Sequence, residues 1–195
     1  MVIEVVFGAA FGAGMLLLFV IVLPAVLTST WSTEPLPAGV ARDLFLAVAR
    51  RARFACRRIF LWRTGRQMAN AAIVGVLPGT RRVLFSDALL ERLDDRQLAA
   101  VFAHEIGHAK RRHVLSFGAW ALGYFLVAEW LISRYGPDSE AWSAGLLALS
   151  LVFWILSFGW MSRRFELDAD LFSLETVGDA AALIEALDEV GGLHS

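Results

Sequence analysis

The sequence predicts an α+β chain: a small β-sheet domain joined to about three membrane-spanning helices. Three observations lead there. The first is composition: 57% of the 195 residues are hydrophobic and 19% charged, with seven Trp and 14 Phe. An average globular chain is about 45–50% apolar and about 25% charged, so disorder is excluded and a bilayer is indicated. The second is three apolar runs, at residues 5–27, 114–133 and 141–162, each near the ~20 residues that a span requires. The third is a group of short β-like runs confined between the first and second of these.

The first apolar run lies between Glu4 and Glu34 with no charge between them. A cleaved leader has a positive start and a shorter apolar core; Glu4 and the length of the run favour a retained anchor over residues 1–29. The second run carries one charge, Glu129, beside Trp130 and near Arg134, which places it at a bilayer interface. The third carries none. Residues 114–162 therefore form a transmembrane hairpin. Its alternative, two core helices of a soluble protein, requires two nearly uncharged runs of rare length.

Orientation follows from positive charge. Residues 30–113 hold fifteen Arg and Lys against seven Asp and Glu, a net +8 within a chain whose total is −1. This stretch is expected in the cytoplasm, the N-terminus outside, and residues 163–195 back on the cytoplasmic side. The total charge carries no nucleic-acid footprint. The lone cysteine, Cys56, forms no internal disulfide and reads as a small buried hydrophobe.

Within 30–113, Pro35 and Pro37 mark a linker. Residues 40–53 read as a basic helix, packed on the core and compatible with anionic headgroups. Strands are expected at 59–63, 68–77 and 82–86, separated by Thr64–Gly65 and Pro78–Gly79 turns. A short helix is expected next, at 87–93. Asp94 with Gln97 has the form of a capping box, opening a helix from Asp95 to about His113.

On that helix stands His104-Glu105-Ile106-Gly107-His108, the pattern H-E-x-x-H. Two His at i and i+4 share one face, and their imidazoles can converge on one Zn²⁺. Glu105, beside them, can take a proton from a metal-activated water and deliver it to a leaving amine. The bland alternative is two surface His on a polar helix. Val101, Phe102, Ala103, Ile106 and Ala109 make the helix apolar here, and burying two His and a Glu in it is costly without partners.

A catalytic zinc needs a third protein ligand. His113 reads as a cap of a basic helix end, and His194 lies at the chain end. Carboxylates come after the third apolar run in Arg163-Arg164-Phe165-Glu166-Leu167-Asp168-Ala169-Asp170. Glu166 and Asp170 are again i and i+4; one can bind the metal while the other holds a ligand His by its free N–H. The alternative is a solvated face paired with Arg163 and Arg164. Residues 171–190 read as one more helix.

The segment Leu98 to His108, with Arg112-His113 after it, resembles the active-site helix of the M48 family of membrane zinc metallopeptidases, which includes HtpX-like and Ste24-like proteases. Glu166-x-x-Ala169-Asp170 resembles that family's second motif, and Asn70-Ala71 with residues 83–90 resembles its strand and pre-helix segment. The likeness covers roughly residues 66–175. It implies a zincin-like fold and one zinc ion per chain, with His104, His108 and Glu166 as ligands. It also implies Glu105 as general base and acid, Asp170 orienting a ligand His, and Asn70 and Ala71 on an edge strand that binds substrate backbone. The implied function is a membrane zinc endopeptidase acting on protein or peptide substrates at the cytoplasmic face of a bacterial plasma membrane. Two alternatives remain: a signal-responsive metallopeptidase that cleaves one regulator, and a non-catalytic zinc-binding membrane adaptor. The family's chains usually continue well past the second motif and supply a further polar residue for the oxyanion. A compact member and a fragment are both compatible with an end at Ser195.

Overall fold

The computed structural model describes residues 2–56, 58–76, 79–135 and 140–191. In chain order the elements are α1 (Val2–Thr30), β1 (Thr33–Pro35), α2 (Val40–Arg51), β2 (Ile59–Trp62), β3 (Ala71–Val74), β4 (Arg82–Ser86), α3 (Asp87–Arg92), α4 (Asp95–Arg111), α5 (His113–Tyr135), α6 (Glu140–Val177) and α7 (Ala180–Gly191). The strands form one sheet in the order β1-β2-β4-β3. β2 runs parallel to β4, with Leu61 opposite Phe85. β1 and β3 run antiparallel to their neighbours.

Strand β1 corrects an expectation. The prolines predict a linker around Pro35, yet Thr33–Pro35 pairs with β2 at the sheet margin. Proline lacks an N–H to donate and is tolerated on such an edge. The 68–77 run narrows to Ala71–Val74; its Leu77 and the Pro78 turn residue lie outside the described residues. β3 forms the other edge of the sheet.

The core gathers where the sheet meets α2 and α4. Phe45, Phe85 and Phe102 are fully buried. Phe45 stacks on Phe85 at 3.9 Å, and Phe102 sets its edge against both at 5.3 and 5.4 Å. Each such side chain contributes roughly 1.5–3 kcal/mol by burial. Cys56 packs against this core, and burial pushes its thiol up to about 11, far from a reactive thiolate.

Helices α4 and α3 both begin on a side-chain cap. The Asp94–Gln97 box forms in full: Asp94 Oδ1 accepts from the Gln97 amide at 2.8 Å, and Gln97 Oε1 accepts from the Asp94 amide at 2.9 Å. Ser86 caps α3. Beside it, Asp87 gathers the Thr64 hydroxyl and the amides of Thr64, Gly65 and Arg66. Desolvation pulls this carboxyl upward, but those hydrogen bonds outweigh it and set it at about 2.

Three expected boundaries move. α4 stops at Arg111 because Arg112 turns left-handed, φ 58°. His113 then begins α5. The helix of the third apolar run does not break at its polar end: α6 continues through Arg163 and Arg164 to Val177. The expected single helix at 171–190 is divided at Gly178, φ 81°, after which Asp179 caps α7.

Among the described residues, two helices are long and apolar enough to cross a membrane, over His113–Arg134 and Ala144–Val177, and neither is buried in the fold. Their apolar residues therefore do not form a core of this chain. They face each other through Trp120, Trp154 and Phe158 and through the Tyr124 hydroxyl on Ser150. α1 is a 29-residue helix whose end is tied to the sheet where Trp31 stacks on Trp62 at 4.2 Å.

Asp87→Asn is expected to destabilise the chain by about 1 kcal/mol near neutral pH, discounted for its partly exposed position. Asp87 has a lowered folded pKa, so its contribution is present above the ordinary value of 3.8 and lost as pH falls toward 2. Thermal unfolding of both proteins in detergent between pH 7 and pH 2.5 checks this, with the gap shrinking on the acid side.

Candidate metal centre

Helix α4 presents His104, Glu105 and His108 toward α6, and α6 returns Glu166, Asp168 and Asp170. His104 Nε2 and His108 Nε2 are 3.1 Å apart. Glu166 Oε2 lies 3.5 Å from the first and 3.6 Å from the second. Three ligand atoms at 2.0–2.1 Å from a tetrahedral zinc would stand about 3.3 Å from one another, so the observed triangle has the size that ion requires. His104 and His108 are half-buried, while Glu166 lies at the open side.

Counting protons supports the same reading. Carboxylates only accept. Asp170 Oδ1, 2.9 Å from His104 Nδ1, takes that ring's N–H and leaves Nε2 as a lone pair. Asp168 Oδ2 is 3.2 Å from His113 Nε2, and His113 Nδ1 is 2.8 Å from His108 Nδ1. With neutral rings, His108 donates from Nδ1 and its Nε2 is bare as well. Two lone pairs and a carboxylate oxygen then face one point with no proton among them, an arrangement suited to a cation. A carboxylate such as Asp170 is a usual partner behind a zinc-binding imidazole.

The family model for Peptidase family M48 matches residues 37–191. The chain belongs to this family. Among its relatives, the protease HtpX homolog of Chlorobium phaeobacteroides is 30% identical over 146 residues, 65% of this chain and 48% of that protein. The CAAX prenyl protease 1 homolog of Oryza sativa subsp. japonica is 31% identical over 171 residues, 78% of this chain and 40% of that protein. At the level of the fold, the crystal structure of S. mikatae Ste24p superposes with a TM-score of 0.77 at 19% identity, covering 95% of this chain and 50% of the other. The chain thus spans about half the length, or less, of these proteins.

In this M48 chain the meeting of α4 and α6 depends on a missing side chain. A Cβ on Gly107 would stand 3.1 Å from both Ala169 Cα and Phe172 Cβ. Ala103 and Ala169 are fully buried beside it, and Ser173 Oγ donates to Ala100 O at 2.8 Å. Small residues on both helices allow the close approach that carries Glu166 to the two His.

Electrostatics sort the groups. Burial raises the Glu105 carboxyl to about 8, with the charge of Glu166 as the second cause. Desolvation, then the neighbouring His104, lowers the His108 pKa despite the opposing pull of Glu166. His108 is thereby held in the neutral form that ligates metal.

Sequence spacing assigns His113 to a helix cap, which the structure corrects. Its ring is 3% exposed, bonded to His108 and stacked on Phe165. The Arg112 turn swings it back toward α6, off the helical face that spacing would assign. Asp168 meets His113 and Arg111 rather than Arg163 or Arg164. Ala71 opens the edge strand β3, against which α4 packs, and Asn70 stands one residue before the strand. The Asn70 backbone is anchored on Ser86, and its side chain is exposed. His194 lies outside the described residues.

Gly107→Ala is expected to force the helices apart, cost about 1–3 kcal/mol and weaken metal binding; zinc titration and thermal unfolding check both. The raised Glu105 pKa has its own consequence. Between pH 4.5 and 8 the folded, metal-free chain keeps a proton that the unfolded chain has released, so stability falls as pH rises through this window. Metal-free Glu105→Gln should therefore melt a few degrees above the wild type at pH 8, with the difference closing toward pH 5.

Proposed function

We propose that the chain is a membrane-bound zinc endopeptidase with a zincin-like catalytic domain, and that it hydrolyses peptide bonds of membrane or misfolded proteins. The observation that carries this reading is the convergence of three candidate ligand atoms at zinc spacing beside Glu105. His104 and His108 would hold the ion through Nε2, and Glu166 through its carboxylate. Bound zinc would supply a Lewis acid to polarise the scissile carbonyl and acidify a water.

The remaining roles belong to the chain itself. Glu105 takes the proton of the attacking water and delivers it to the leaving amine. Asp170 holds the His104 ring. Among the described residues no strand pairs with the outer edge of β3, so Ala71–Val74 can offer backbone groups there to an extended peptide, with Asn70 held on Ser86 just before it, a mode that binds many sequences through main-chain hydrogen bonds.

For the setting, we infer three spans, formed by α1 and by the hairpin of α5 and α6. The excess of arginine in residues 30–113 supports a cytoplasmic active site at a bacterial plasma membrane. Lipid is then a partner of the helices, and the substrate is reached at the membrane face.

With zinc, the detergent-purified chain is expected to cleave an unfolded protein such as casein. Glu105→Gln should lose at least about 100-fold in rate while zinc remains bound. Equal rates in the two proteins would remove Glu105 from the chemistry. Zinc bound with no cleavage by either would favour the adaptor reading or a site that needs a further C-terminal segment.

A further inference from the structure

We propose that His113 and Asp168 form a positioning relay that fixes the ring of His108 as a metal ligand without touching the ion. The proposal rests on reading His104, His108 and Glu166 as a metal site. It adds residues outside the H-E-x-x-H pattern on which the site depends.

The two histidines of the centre are supported differently. His104 meets a carboxylate directly, through Asp170. His108 has none within reach of Nδ1; the atom it meets there is His113 Nδ1, at 2.8 Å. Two ring nitrogens at that distance can bond only if one holds a hydrogen and the other does not. Asp168 decides which. Its Oδ2 accepts from His113 Nε2 at 3.2 Å; with that hydrogen on Nε2, the His113 ring accepts at Nδ1 from His108. The hydrogen of His108 is thereby placed on Nδ1, and Nε2 faces the metal site as a lone pair. The opposite polarity would put a hydrogen on His108 Nε2 and close that position to a cation.

The relay is held rigidly. His113 is buried, and its ring lies 4.2 Å from that of Phe165 and tilted only 4° from it. Phe165 in turn sets against the edge of Phe117 at 4.8 Å. Arg111 Nε is 3.6 Å from the same Asp168 oxygen and keeps that carboxylate on the relay side. His113 is also the first residue of α5, so the start of an apolar helix and the support of a metal ligand are one residue.

The test is zinc affinity of the full chain in detergent, measured by competition with a chromophoric chelator. It is combined with thermal unfolding of the metal-free proteins. His113→Phe keeps ring and volume but neither hydrogen bond. His113→Gln keeps an acceptor and a donor. Asp168→Asn offers either atom of its amide to His113 and no longer enforces a direction. His113→Phe and Asp168→Asn are expected to bind zinc about 10–100-fold more weakly. His113→Gln should stay near the wild type, and metal-free Asp168→Asn should melt as the wild type does.

Wild-type affinity in both His113→Phe and Asp168→Asn, while His108→Ala loses the metal, overturns the relay and leaves the metal site standing. His113→Gln as weak as His113→Phe assigns His113 to packing and also overturns it. If His113→Phe does not fold, Asp168→Asn decides alone, since that side chain is partly exposed. A wild type that binds no zinc, or a His108→Ala variant that binds it fully, overturns the metal reading and the relay together.

Discussion

The close approach of α4 and α6 is the constraint on which the rest depends. An H-E-x-x-H helix by itself offers two imidazoles and a carboxylate. The third ligand atom, the carboxylate behind His104 and the aspartate behind His113 all come from α6. They reach α4 because Gly107, Ala103, Ala169 and Ser173 leave no bulk between the backbones. The sheet and the aromatic cluster of Phe45, Phe85 and Phe102 hold α4 from the other side. The core thus fixes one half of the centre, and helix packing delivers the other half to it.

Much of this was legible in the residues, for identifiable reasons. The strand Arg82–Ser86 and the Asp94–Gln97 box arise from local chemistry that tertiary contacts do not override. Spacing brought His104 and His108 onto one face and Glu166 and Asp170 onto another. The hairpin between them supplied the return that brings the two faces together.

The rest was hidden by geometry. β1 contains a proline that is harmless only because the strand is an edge. The left-handed turn at Arg112 occupies a non-glycine residue, so no turn signal marks it, and without that turn His113 falls on the wrong face. The division expected at Ser162 and Arg163 confused a change of solvent with a change of backbone: hydropathy stops there, and the helix does not.

That continuity makes α6 a ruler. On the membrane reading, its lower end leaves the bilayer near Ser162, and Glu166 stands four residues further along the same unbroken rod. At 1.5 Å per residue the Glu166 backbone stands about 6 Å further along the helix axis than Ser162, with no break in the helix between them. On that reading the candidate metal site is held at a fixed distance along α6 from the end of its apolar stretch.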